Sequence, residues 1–545
     1  MTSSHSNSRN STVSRYNSAE AVTAVEGKLA ANMASLDYLV FSPAGIAYSL
    51  SILLASFALY AIGTIIYNLY FSSLRHIPGP RFASATGIPY ALHTRSGTIN
   101  KWIQHLHDQY GDVVRVAPTE LSFISGETAW PDIYGFRTGK YRNTGAYGKD
   151  QTWFPKPING VYSIIVSEEA DHTRLRRNLS HAFSDKALRS QEPLIMGYVD
   201  LLIHRLKEHA EKGKEVDIMR WYNYTTFDII ADLSFGEPLY CLRDSREHKW
   251  INMVFKSIMG LSVIAIRNKY ALFRWYDKAR GLFEDNQMAV RARKEFFEKS
   301  QDMVTTRLET ETDRPDFFSF ILQNQEKDNR ALTRAEMDSN AVIFLVAGSE
   351  TTATTLSGTT YLLLKNPAAY SRLVNEIRTA FTRSEDITIE AVNKLPYLLA
   401  TLQEGLRYYP PVPTGFPRIV PGQGQQISGH YIPGGTSVYV SQHAANHSSR
   451  NFAEPDAFKP ERWLEDRPKA FGEDKREVVQ PFSFGPRNCL GKNLAYAEMR
   501  LILAKIVWHF DLELVKPGNE WMRDQRVFAL WEKPALEVRL KPVLR

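Results

Sequence analysis

The sequence of 545 residues predicts a mainly α-helical fold with small β-sheets, preceded by one N-terminal transmembrane helix. Three observations carry this prediction. No charged residue occurs from Tyr38 to Leu74, and apolar residues recur with helical periodicity through most of the chain beyond it. A few short runs, bounded by Pro, Gly and Thr, instead have the alternation of strands. Hydrophobic content of 43% and aromatic content of 12% are enough for one large core.

Residues 1–35 are rich in Ser and Asn and poor in large apolar groups, which predicts a disordered arm. The anchor is placed at 36–72. Its centre, "AGIAYSLSILLASFALYAIGTIIYNLYF", is long enough to cross a bilayer, and no small-residue cleavage site follows it. Cations on both sides (Arg9, Arg15 and Lys28 before, Arg75 and Arg81 after) leave its orientation open. "RHIPGPR" cannot continue a helix and predicts a Pro-rich hinge over 73–84. No second linker or repeat follows, so residues 85–545 read as one domain.

Within that domain, "GDVVRVAPTELSFIS" predicts a strand pair turning at Pro118-Thr119, and "TSVYVSQH" and "ALEVRLKPV" predict further strands. The clearest helix runs from Arg334 to Lys365. Thr333 and Glu336 form a capping box at its start and Asn366-Pro367 stops it, giving a rod roughly 48 Å long.

Charge and cysteine content exclude several classes of function. The net charge is +7, without the Lys/Arg runs of a nucleic-acid binder. Cys241 and Cys489, the only cysteines, stand about 250 residues apart, which excludes a disulfide framework or a multi-cysteine metal site.

Four motifs carry chemistry. "AGSETT" (347–352) sits mid-helix, where Gly348 weakens the helix and Glu350 adjoins Thr351. It reads either as a proton-delivery turn or as a Thr-rich packing face with a solvated acid. Glu404 and Arg407 in "EGLR" share a helical face, and with Arg462 of "PERW" they could form a structural lock. In "DHTRLRRNLSHAFS", His172 and Arg176 lie one turn apart, suited either to a solvated face or to an anionic group such as a propionate. Finally, "FSFGPRNCLG" places Cys489 among Phe482, Gly485, Arg487 and Gly491 just before a helix. A helix start favours a thiolate, and close glycines let a flat ligand approach the backbone. A lone thiolate beside an arginine suits axial ligation of a haem iron, with the arginine on a propionate.

These motifs, in this order and spacing, resemble the cytochrome P450 superfamily over roughly residues 75–545. The resemblance implies the cytochrome P450 fold and a haem b held by Cys489 as axial iron ligand. Arg487, Arg176, His172 and Arg418 would serve the propionates, and Phe482 would pack beside the thiolate. The family often has tryptophan where this chain has His172. Glu350 and Thr351 would relay protons during dioxygen activation, and Glu404, Arg407 and Arg462 would stabilise the fold. By family position, Phe344, Ala347, Val412, Thr414 and Phe528 would face the substrate.

"HTRLRRNLSHAFSDKALRSQEP" further resembles fungal secondary-metabolism enzymes of the isotrichodermin-hydroxylase kind. That implies hydroxylation or epoxidation of a lipophilic terpenoid or polyketide intermediate. Electrons would come from NADPH through a separate NADPH–cytochrome P450 reductase, because no Gly-rich nucleotide fingerprint lies in the chain. The anchor resembles those of single-pass endoplasmic reticulum members, embedded in membrane lipids with a cytosolic catalytic domain and no nucleic-acid role. Three alternatives keep some of these features: the same fold rearranging a substrate without O2, a membrane-tethered haem or lipid carrier, and a cysteine-nucleophile hydrolase. Asn10 and Asn223 begin glycosylation sequons, of which only the first should be modified if the arm is luminal.

Overall fold

The structure, a computed structural model, describes residues 22–29 and 42–544 apart from 143, 247, 282–286, 313, 326–330 and 519. Contacts divide the chain into two units, Met1–Ser72 and Ser73–Arg545. In the first, most of the arm expected to be disordered lies outside the described residues, though 22–29 form an exposed helix. Helix α1 (Pro43–Ile66) starts at a Ser42 cap with proline in its first turn and runs into a π-helical turn, Tyr67–Phe71. Together they make a span of 29 residues with mean hydropathy 2.0, none of it buried in protein. It is the one helix among the described residues long and apolar enough to cross a membrane.

The second unit contains the hydrophobic core, and the segment expected as a hinge belongs to it. Leu74 and Ile77 are buried, and the Pro78 carbonyl accepts the Arg115 N–H at 2.8 Å. The anchor helix has already ended at Phe71, seven residues before Pro78, and the backbone at the prolines docks on a strand.

Strands β1 (Val113–Ala117) and β2 (Glu120–Phe123) are antiparallel, with a register shift between Arg115 and Ala117 beside the Pro118-Thr119 turn. With β3 (Gly148–Lys149), β5 (Arg418–Ile419) and β6 (Ser437–Val440) they form a sheet in the order β1-β2-β6-β5-β3. The strand read from "TSVYVSQH" is shorter than expected, because Gln442–Asn446 turns helical. A second sheet joins β4 (Val216–Asp217), β8 (Glu537–Pro542) and β7 (Phe510–Leu514).

Helices pack around these sheets: α2 (Glu169–Leu179), α3 (Ile218–Phe235), α4 (Arg334–Lys365), α5 (Pro396–Tyr408) and α6 (Lys492–His509). The capping box at Thr333 and Glu336 is present, and Arg174 of α2 pairs with the same Glu336. Helix α4 is unbroken through Gly348, so the glycine does not open a turn. It permits contact with α3, because a Cβ there would lie 2.6 Å from Ile230 Cδ1. Asn223 and Thr225 are buried in α3, so the second sequon is inaccessible on either side of a membrane.

Candidate active site

The Cys489 loop is shaped by its backbone. The Cys489 N–H donates to the Phe482 carbonyl at 2.8 Å and the Asn488 N–H to the Gly485 carbonyl at 3.1 Å. Gly485 has φ 73°, and a Cβ there would sit 1.9 Å from the Tyr134 carbonyl oxygen. Only glycine satisfies both conditions. Gly491, the cap residue of α6, has neither a positive φ nor such crowding. The Phe482 ring packs on Tyr496 of α6, centroids 4.9 Å apart.

Arg176, expected on a propionate, grips this loop, with Nη1 donating to the Asn488 carbonyl at 2.7 Å and Nη2 to its side-chain oxygen. The Cys489 side chain is exposed, yet the protein packed around the thiol pushes its pKa up. A Gly491 N–H, Arg176 and Lys492 act in the opposite direction with smaller effect. The helix start favours the anion, as expected from the sequence, but burial opposes it. Coordination by a metal ion would deprotonate a thiol outright.

Mid-way along α4, among buried neighbours, Ala347 is exposed and Ile343, Val346 and Thr351 are half-buried. At 3.6 residues per turn these positions fall on one side of the helix. Thr351 Oγ1 donates back to the Ala347 carbonyl at 2.8 Å. Glu350, on the same side, is not a solvated edge acid. It is fully buried, its Oε1 accepts from Lys533 Nζ and from Thr354 Oγ1, and its Oε2 has no partner. Burial raises its pKa, and Lys533 and Thr354 counter this.

Phe344, expected to face a substrate, is buried. It lies in an aromatic cluster with Phe183 and Phe317, at centroid distances of 5.5 and 5.6 Å. Phe528 is likewise buried, its ring edge against Gly97 and under the Arg526 guanidinium. Val412 is half-buried and Thr414 buried in the bends that follow α5.

A basic cluster completes the site. Lys149 and Arg418 are register partners across β3 and β5, a like-charge pair that opposes pairing. Arg418 is 3% exposed, and its Nε and Nη1 have no partner. Burial lowers its pKa to about 10. Burial also drives Lys149 well below its ordinary value, with Arg418 and Arg487 adding to the effect. His172 falls to about 3, first through burial and then through Arg487, Arg176, Lys149 and Arg418. The cations around it and its burial favour the neutral ring. Arg487 is held by Glu169 at 3.1 Å and by the Ser167 carbonyl at 2.9 Å.

The family model for cytochrome P450 matches residues 77–538. This chain belongs to the cytochrome P450 family. The P450 is 50% identical over 496 residues to cytochrome P450 monooxygenase traB of Penicillium crustosum, covering 90% of this chain and 97% of that one. It is 47% identical to cytochrome P450 monooxygenase lcsI of Purpureocillium lilacinum (92% and 95% covered) and 42% identical to averantin hydroxylase of Dothistroma septosporum (89% and 90% covered). It is a monooxygenase of the fungal secondary-metabolism group, and the family implies a haem–iron cofactor.

The residues present fit that group. The unpartnered Arg418 donors and the facing Lys149 ask for a ligand with more than one negative charge, and Glu169 is the single carboxylate paired with Arg487. A haem carries two carboxylates and an iron that takes a thiolate.

Glu404, Arg407 and Arg462, all fully buried, lie apart from this chemistry. The Arg407 fork meets both Glu404 oxygens at 2.8 Å, and Arg462 Nε reaches Oε1 at 3.1 Å. Trp463 Nε1 and the Lys459 N–H also donate to Glu404, while Asp474 takes the far side of Arg462. Glu461, the other acid of "PERW", binds the Tyr397 hydroxyl instead.

Sequence reasoning missed Lys149, Ile343, Val346, Trp463, Asp474, Asn488 and Lys533. Ile343 could have been found by stepping back four residues from Ala347. Lys149 comes from a distant strand and Lys533 from just beyond one, and neither carries a local signal.

Proposed function

We propose that this P450 hydroxylates or epoxidises a lipophilic terpenoid or polyketide intermediate. It would use O2 and electrons from NADPH, delivered one at a time by a separate NADPH–cytochrome P450 reductase. The observation that carries this reading is the Cys489 loop. Among the described residues its thiol is acted on by a backbone N–H, Arg176 and Lys492, a setting that suits an iron ligand better than a hydrolytic nucleophile.

Haem held there supplies the reductive activation of O2, with the thiolate favouring O–O cleavage. Arg418 and Lys149 would bind its carboxylates, Arg487 would close the same edge beside Glu169, and His172 would contribute a neutral ring. Arg176 would fix the loop by holding Asn488. The apolar side of α4 at Ile343, Val346 and Ala347 would receive the substrate, with Val412 and Thr414 as further candidates. Thr351 Oγ1, released from the Ala347 carbonyl, would hand on a proton, and Glu350 would resupply it. Helix α1 would hold the protein in the endoplasmic reticulum membrane with its catalytic body in the cytosol, in contact with lipid and without nucleic acid.

Cys489→Ala tests the reading. The protein should lose the thiolate-type carbon monoxide difference spectrum and all NADPH-dependent product. A retained spectrum refutes the ligand assignment.

A further inference from the structure

The C-terminal segment reaches the central helix at one polar point. Lys533 follows the strand pair Arg526–Phe528 and Leu530–Glu532, and its side chain is 1% exposed. Its ammonium contacts Glu350 Oε1 and donates to Thr354 Oγ1 at 2.8 Å, while Thr354 donates to the same oxygen at 3.1 Å. One carboxylate oxygen is thus fixed by two donors, and the other is buried without a partner. Among the described residues, the other ionisable group interacting with Glu350 is Tyr409, beyond α5, whose hydroxyl is committed to Gln525. Among the described residues, Lys533 is therefore the only cation acting on the acid.

We propose that Lys533 is the positioning residue of the proton relay: it pins Glu350 through Oε1, keeps the buried carboxyl ionised between turnovers, and leaves Oε2 as the oxygen that exchanges protons. This deepens the reading of Glu350 as relay acid and rests on it. Burial favours the neutral acid, and an adjacent ammonium favours the anion. Removing the ammonium leaves burial unopposed, so the carboxyl holds its proton to higher pH. A carboxyl that stays protonated cannot pick up the next proton, and Thr351 is then resupplied slowly. The pair also ties the acid to the C-terminal strand pair, so a displacement of that pair reaches Glu350 directly.

Lys533→Met, Lys533→Arg, Glu350→Gln and Lys533→Met/Glu350→Gln are compared as haem-loaded proteins. Infrared difference spectra against the Glu350→Gln background report the protonated carboxyl, independently of turnover. At neutral pH, Lys533→Met should show a carboxylic-acid carbonyl band that the wild type and Lys533→Arg lack and the double variant loses. Product per NADPH should fall about tenfold in Lys533→Met, with peroxide taking up the difference, and Lys533→Arg should restore most of it.

The double variant carries no unpaired buried charge and controls for folding. If Lys533→Met fails to take up haem while the double variant does, the carboxyl band is read from Lys533→Gln. An ionised Glu350 without Lys533, or wild-type coupling in Lys533→Met, overturns the positioning role. A band that appears as described while Glu350→Gln couples normally refutes the relay reading alone.

Discussion

Lys149 and Arg418 face each other across a strand pair, so removing one cation has opposite effects on the haem-free and haem-bound protein. Arg418→Met relieves a buried like-charge contact and should raise the thermal midpoint of the haem-free protein. It also deletes charge-assisted hydrogen bonds to a carboxylate, worth about 1.5–3 kcal/mol, so haem retention should weaken roughly 10- to 100-fold. Haem-to-protein ratio after dialysis and calorimetry of the haem-free protein check both signs. An equal loss in both states would make Arg418 purely structural. Thr351→Ala acts at one hydroxyl. Haem and the carbon monoxide spectrum should be unchanged, while product formation drops by about one to two orders of magnitude and peroxide rises. Unchanged coupling counts against the relay.

Helices α4 and α6 meet through a titratable contact. Glu498 of α6 is 2% exposed, and burial lifts its carboxyl to about 8 against the Thr352 hydroxyl of α4, which acts to lower it. A raised carboxyl adds stability that is complete below its ordinary value of 4.5 and is lost as pH climbs through about 8. Glu498→Gln should therefore flatten the fall of thermal midpoint over that window. A parallel fall in both proteins would remove Glu498 as its cause.

The same two helices show what can be read from sequence. Both ends of α4 were legible because a capping box and an Asn-Pro stop are local chemistry, and Cys489 was legible because glycines and a thiol crowd into one loop. The surroundings of Glu350 were not, since its partner lies 183 residues away and a lone lysine carries no signal. The packing of Phe344 was not legible either, because its aromatic partners come from two other segments.

At the scale of the whole molecule, the anchor and the body are separable by design of the chain. Deleting residues 1–72 should leave a protein that binds haem with a normal spectrum, because the core and every site residue lie beyond Ser72. That body should still sediment with lipid vesicles. Leu92 on one helix and Leu272, Trp275 and Tyr276 on another are exposed, and the Arg95–Asp277 pair at 2.9 Å holds those two helices together. A truncated protein wholly in the supernatant would refute this second contact. Topology is read from Asn10 alone: glycosylation there places the arm in the lumen and the body in the cytosol, and Asn223 stays unmodified in either case.

On the proposed reading, helix α4 would divide its duties by turn. Ile343, Val346 and Ala347 occupy the turns before Gly348, and Glu350, Thr351 and Thr354 the turns after it, with both helix ends fixed. Gly348 marks the border because only it allows α3 to lie that close. A randomised library confined to the first three positions should therefore diversify which compounds are accepted while leaving coupling intact. One confined to the latter three should do the reverse, so that selectivity and efficiency can be evolved as independent traits in one segment of the chain.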